Sequence, residues 1–259
     1  MNNTFSIQRF GLLLKRQWLE FGKIYLISLV VVLGVILTFY GFSLSSVLRE
    51  KTAFNERMLH FREPLFLIFG FMFISVIASN YFAHLGQKPK AIIDLLIPAS
   101  TFEKFLTGIF FTAVLSILSY VLLFYLIDLA FIAKIRSLYK NDEASIRYFL
   151  EKNTENQFKA FYWAPVFITS VFLLGSIYFE KFHYIKTAIC VMIFSGIWTA
   201  IIVKSNKVLF EGKIPIHNNH MRDMFNERNT VEIWVALLIV ALTLIFWSIT
   251  YVRLKEKEV

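Results

Sequence analysis

Residues 86–106 read GQKPKAIIDLLIPASTFEKFL, and the reading of this stretch decides how the rest of the chain is laid out. Pro89 is a good first-turn residue, so 90–97 can be a short helix; Pro98 then pushes Ile97 out of the α region and ends it. Ser100 and Glu103 follow as S-x-x-E, the spacing of a capping box, which satisfies the first backbone N–H groups of a second helix. That second helix runs directly into an apolar stretch. A short amphipathic helix therefore lies across the entrance to a long one, with Ile92, Ile93, Leu96 and Ile97 suited to lipid or protein. Lys88, Lys90 and Asp94 are left for water or a partner. The simpler alternative is an interfacial helix that only anchors a loop.

Working outward, the composition says what the long helix is for. The chain of 259 residues is 57% apolar and 17% aromatic, with 29 Phe and a mean hydropathy of +0.61, far from a water-soluble domain. Six stretches, 24–44, 65–83, 105–127, 160–179, 187–203 and 233–252, approach the roughly 20 residues needed to cross a hydrocarbon core of about 30 Å. Membrane β-strands would be shorter and would alternate, so the expected fold is all-α and integral to the membrane. No polar segment is large enough to bury a core of its own, so residues 1–259 form one transmembrane domain.

Residues 5–21, within an N-terminal segment 1–23, place Phe10, Leu14, Trp18 and Phe21 on one helical side and Arg9, Arg16, Glu20 and Lys23 on another. This is expected to be an elbow helix lying on the membrane surface ahead of the first span. Its basic residues favour a cytoplasmic N-terminus, and six spans return the C-terminus to the same side. Loop charges decide less. This orientation puts twelve Lys and Arg inside and fifteen of the 27 outside, mostly in long segments that count for little.

Two extracytoplasmic segments are long, 134–159 and 204–232. The first is expected to carry a surface helix after Asn141 or Asp142, with Ile146, Phe149 and Leu150 as its apolar positions. The second contains Gly212, Pro215 and a polar run from His217 to Thr230, which reads partly as loop. The turn 180–186 is short enough to force spans four and five into an antiparallel hairpin.

Chemistry-bearing patterns are sparse. The phosphate-binding loop G-x-x-x-x-G-K-[ST] does not occur, so any use of nucleotide energy needs another subunit. Asp128 is the one carboxylate close to a span interior, and is expected to be interfacial, reaching headgroups or Lys134. His217 and His220 have neither a further His nor a Cys placed to complete a metal site, and none is assigned. His183 beside Glu180, and His84 at the end of the second span, read as interfacial residues. Trp163, Trp234, Trp247 and Tyr251 read as belt anchors. Cys190 stands alone, so no intrachain disulfide forms, and it is expected to be a small buried residue. The 27 Lys and Arg are scattered through the loops, as headgroup contact requires, and form no basic block for nucleic acid.

In layout the chain resembles the membrane subunit of an ABC-2 type exporter: elbow, six spans, an inner loop after the second span and an extended outer segment before the last. The most specific piece is DLLIPASTFEKFLTG, from Asp94 to Gly108, which is similar to the leucine-rich, proline-serine, glutamate and glycine pattern following that family's coupling helix. The resemblance implies a coupling helix at about 90–97 within a cytoplasmic loop 86–105. Lys88, Lys90, Asp94, Leu95, Leu96 and Pro98 would contact a cytosolic ABC ATPase, with Asp94 and Leu95 foremost, and Ser100 and Glu103 would cap the next helix. It further implies a homodimer or heterodimer of permeases in a bacterial inner membrane, with ATP and Mg bound by the partner and no cofactor in this chain. The outer loop between spans three and four is longer than the family's, and the segment after span five is polar where re-entrant apolar helices are common. A non-transporting sensor or scaffold, working through those outer segments, is the competing reading.

Overall fold

The computed structural model describes residues 5–50, 59–86, 92, 94, 96–139, 146–149, 162–210 and 220–257, with backbone only at 50, 202, 206–210 and 220–231. Among these the chain is helical and no strand occurs. In chain order the helices are α1 (Ile7–Glu50), α2 (Arg62–Tyr81), α3 (Thr101–Leu138), α4 (Ala164–Tyr178), α5 (His183–Phe210) and α6 (His220–Lys257). Five of them contain stretches long and apolar enough to cross a membrane, and α4 is shorter. At 15 residues, α4 spans about 22 Å at 1.5 Å per residue, less than a hydrocarbon core.

The N-terminal elbow is corrected. Residues 5–21 are not a separate surface helix, because α1 continues unbroken from Ile7 to Glu50 through the first span. The sequence holds no proline between them, and Gly11 and Gly22 alone do not stop a helix whose neighbours are strong formers. The polar run before the last span is likewise helical from His220 onward, extending α6 rather than forming loop there. Residues 211–219 lie outside the described part.

α1 and α3 run parallel and touch, and α2 packs antiparallel against both. Tyr25 in α1 donates its hydroxyl to the Leu115 carbonyl of α3 at 3.2 Å, and Tyr120 in α3 donates to the Phe66 carbonyl of α2 at 2.8 Å. Residues Phe110–Leu115 form a π-helical stretch inside α3. Thr112 and Ser116 turn their hydroxyls back on the carbonyls of Gly108 and Thr112, loosening the ladder so that a backbone carbonyl is available to Tyr25. The core between these helices is aromatic. Tyr40 meets Phe131 edge-on with centroids 4.9 Å apart, and Phe66 meets Phe124 in the same way at 4.9 Å.

α4 packs chiefly on α2 and α6, and the short link 179–182 folds α5 back along it as the hairpin requires. Gly175 permits that closeness, since a Cβ there would collide with the Thr187 side chain at the base of α5. Gly175→Ala should therefore splay the α4–α5 pair at a cost of about 1–3 kcal/mol, read as a lowered unfolding temperature of the purified protein. An unchanged temperature would mean that α5 is free to shift. Beyond its first turns α5 is exposed nearly all round; Cys190, expected to be buried, lies on that exposed surface.

Tyr251 of α6 packs against Phe102 and Phe105 of α3, so both chain ends meet at one end of the bundle, called here the near end. The opposite, far end carries the start of α2.

Candidate functional site

At the near end the spacing S-x-x-E produces the cap it specifies. The Glu103 N–H donates to Ser100 Oγ at 3.2 Å, and the Ser100 N–H donates to Glu103 Oε2 at 2.9 Å. The other carboxylate oxygen reaches a different part of the chain. Oε1 accepts from the Ser6 N–H at 2.8 Å and from Arg9 Nη2 at 3.1 Å, so one fully buried carboxylate holds the starts of α1 and α3 together. A charge buried in this way is stable only with such partners.

Lys104, 7% exposed, turns from the same helical turn towards the preceding segment. Its Nζ donates to the Asp94 carbonyl at 2.8 Å and to Asp94 Oδ2 at 3.3 Å, while His84 Nε2 lies 3.9 Å from Asp94 Oδ1. Asp94, read from the sequence as facing water or a partner, is thus engaged within the chain by α3. Local helical bonds are present around it: Leu96 N–H to the Ile92 carbonyl at 3.3 Å and Ile97 N–H to the Asp94 carbonyl at 3.2 Å. Ile92, Leu96 and Pro98 are exposed, and Leu96 is 77% exposed. The turn therefore offers an apolar tip mounted on a polar base. Lys88, Lys90 and Leu95 lie outside the described residues.

Gly108 lies one turn beyond this base. A Cβ there would stand 2.9 Å from the Phe82 ring, so glycine is what lets the end of α2 lie against α3. Beside the base, between the start of α1, the end of α2 and the start of α5, opens a cavity of about 540 Å³.

The far end holds a buried ion pair. Arg62, 2% exposed, donates through Nη1 to Asp128 Oδ1 at 2.9 Å, and Asp128 is 1% exposed. Tyr40 of α1 donates to the same oxygen at 3.1 Å, and the Phe149 N–H donates to Oδ2 at 2.9 Å. Arg62 also donates to the carbonyls of Leu59 at 3.1 Å and Arg147 at 3.4 Å. Asp128 is therefore not the interfacial carboxylate expected from its position; it joins α1, α2, α3 and the segment 146–149. The hydropathy of α2 does not reveal Arg62 as the partner of Asp128, since Arg62 precedes the apolar run and looks like a loop charge. Arg136 adds a clamp, donating to the Ile146 carbonyl through Nη2 at 2.6 Å and stacking over Tyr148 at 4.5 Å. Ile146 and Phe149 are buried as apolar positions, and Leu150 lies outside the described residues.

Compared with protein-family models, curated proteins and solved structures, the chain matches none of them. What the helices themselves establish is an all-helical protein with several long apolar helices, embedded in a membrane. Of the belt residues, Trp163 is exposed at the start of α4 and Trp234 at the start of the apolar part of α6, as anchors are, whereas Trp247 and Tyr251 pack against the core.

Proposed function

We propose that this chain is the permease subunit of an ATP-driven exporter of ABC-2 type, energised by a separate cytosolic ATPase that docks on the turn around Ile92 and Leu96. In this reading the near end is cytoplasmic, the membrane is a bacterial inner membrane, and the working unit contains two permeases. The observation that carries the proposal is the Asp94–Lys104 attachment. A coupling element must transmit both push and pull, and an apolar tip alone does neither. Here the tip is tied by charge-assisted bonds to the first turn of α3. Glu103, next to Lys104, ties that turn to the start of α1, so a displacement of the tip is delivered to two helices together.

The sensor or scaffold reading has one observation in its favour, the segment 146–149 held at the far end by Arg62, Asp128 and Arg136. The two separate on energy use. The chain purified from its own membranes in mild detergent should carry a second polypeptide and ATP hydrolysis that co-elutes with it, and should show no hydrolysis once stripped of that partner. Turnover by the stripped chain, or a complex without ATPase, contradicts the exporter reading.

A further inference from the structure

The near-end cavity brings both signs of charge to the level where α1 changes from polar to apolar. Arg16, Glu20 and Phe21 of α1 line one side; His84, Asp94 and His183 line the other. Arg16 spends Nε and Nη2 on a single oxygen, Glu20 Oε1, at 3.1 and 2.8 Å. Among the described residues Arg16 Nη1 and Glu20 Oε2 have no protein partner, so the pair keeps one donor edge and one acceptor oxygen for something else. Asp94 Oδ1 lies 3.9 Å from His84 Nε2, beyond hydrogen-bond length.

We propose that this cavity binds the headgroup of a zwitterionic membrane phospholipid carrying a primary ammonium beside its phosphate. The phosphodiester takes the free Nη1 edge of the Arg16 guanidinium, and the ammonium takes Glu20 Oε2 and Asp94 Oδ1. A purely anionic headgroup leaves two carboxylates facing its charge. A quaternary ammonium has no N–H to give them. The membrane is the source because the wall above the charges is apolar and open: Ile24, Ile27 and Val31 follow on α1, 49%, 54% and 58% exposed, as a track for acyl chains. Nothing in this assignment depends on the exporter reading.

The test is native mass spectrometry of the full purified chain, delipidated and then offered phosphatidylethanolamine, phosphatidylcholine and phosphatidylglycerol with identical acyl chains. The ethanolamine lipid should be retained about tenfold over either other. Glu20→Gln should bring it down to the choline lipid's level, and Arg16→Gln should lower all three, with unfolding temperatures unchanged because both side chains sit at the protein surface. Soluble glycerophosphoethanolamine should not compete. Equal retention of the three lipids, variants that retain the ethanolamine lipid as the unsubstituted chain does, or displacement by the soluble compound would each overturn the proposal.

Discussion

Arg62→Met should destabilise the protein by about 3–5 kcal/mol, the largest effect expected of a single substitution, because it leaves Asp128 buried without its cation. Asp128 is 1% exposed and would retain only the Tyr40 hydroxyl at 3.1 Å and the Phe149 N–H at 2.9 Å. Neither neutralises a carboxylate. The loss should be felt in three helices and in the segment 146–149, since Arg62 also holds the Arg147 carbonyl. Removing both charges with Arg62→Met and Asp128→Leu should recover most of the stability, because a buried ion pair replaced by apolar groups of similar volume is often near neutral. Reversible unfolding of the four proteins in detergent gives the coupling energy directly. Additive losses would mean that the two residues act separately, and a loss below about 0.5 kcal/mol for Arg62→Met would mean that water reaches Asp128.

Much of the architecture is legible because membrane helices announce themselves. The length and composition of the apolar runs locate α1, α2, α3, α5 and α6, and S-x-x-E at Ser100 and Glu103 gives the start of α3 to the residue. Legibility fails where the deciding interaction lies between segments distant in sequence. Glu103 reads as a cap, yet its second oxygen binds Ser6 and Arg9, 97 and 94 residues away. Asp128 reads as interfacial for the same reason: Arg62 is 66 positions away and sits outside the apolar run it serves. The elbow was misplaced through a different cause. Its apolar face is buried only in part, with Phe21 buried and Trp18 41% exposed, and amphipathicity in any case fixes which side of a helix is buried and not whether the helix ends. Cys190 shows the limit of residue-type averages, since a residue usually buried in water-soluble proteins sits here on a helix whose outside is already apolar.

Within the candidate site, the turn was legible as a helix with a stop, and Asp94 as its distinctive charge. Its engagement by Lys104 was not, because Lys104 reads equally well as a headgroup contact. In the proposed docking, Leu96 rather than Asp94 is the residue to test, since Asp94 is engaged by Lys104. Leu96 is 77% exposed and outside the core, so Leu96→Asp should leave expression and unfolding unchanged. Burial of a leucine at an interface contributes on the order of 1–3 kcal/mol, and a carboxylate forced into the same pocket adds a desolvation cost. On the exporter reading, Leu96→Asp should therefore lower recovery of the proposed ATPase on the purified chain by about tenfold or more.

The most direct test places a crosslinker on the tip itself. In a Cys190→Ala background, which removes the one native thiol, Leu96→Cys carrying a photoreactive maleimide is activated in native membranes and the adduct is sequenced. The exporter account predicts a single protein adduct bearing a G-x-x-x-x-G-K-[ST] loop, abolished when the adjacent Lys104 is replaced by Met and the tip loses its mount. Adducts to phospholipid alone, in both backgrounds, would contradict it and leave the turn as a membrane anchor.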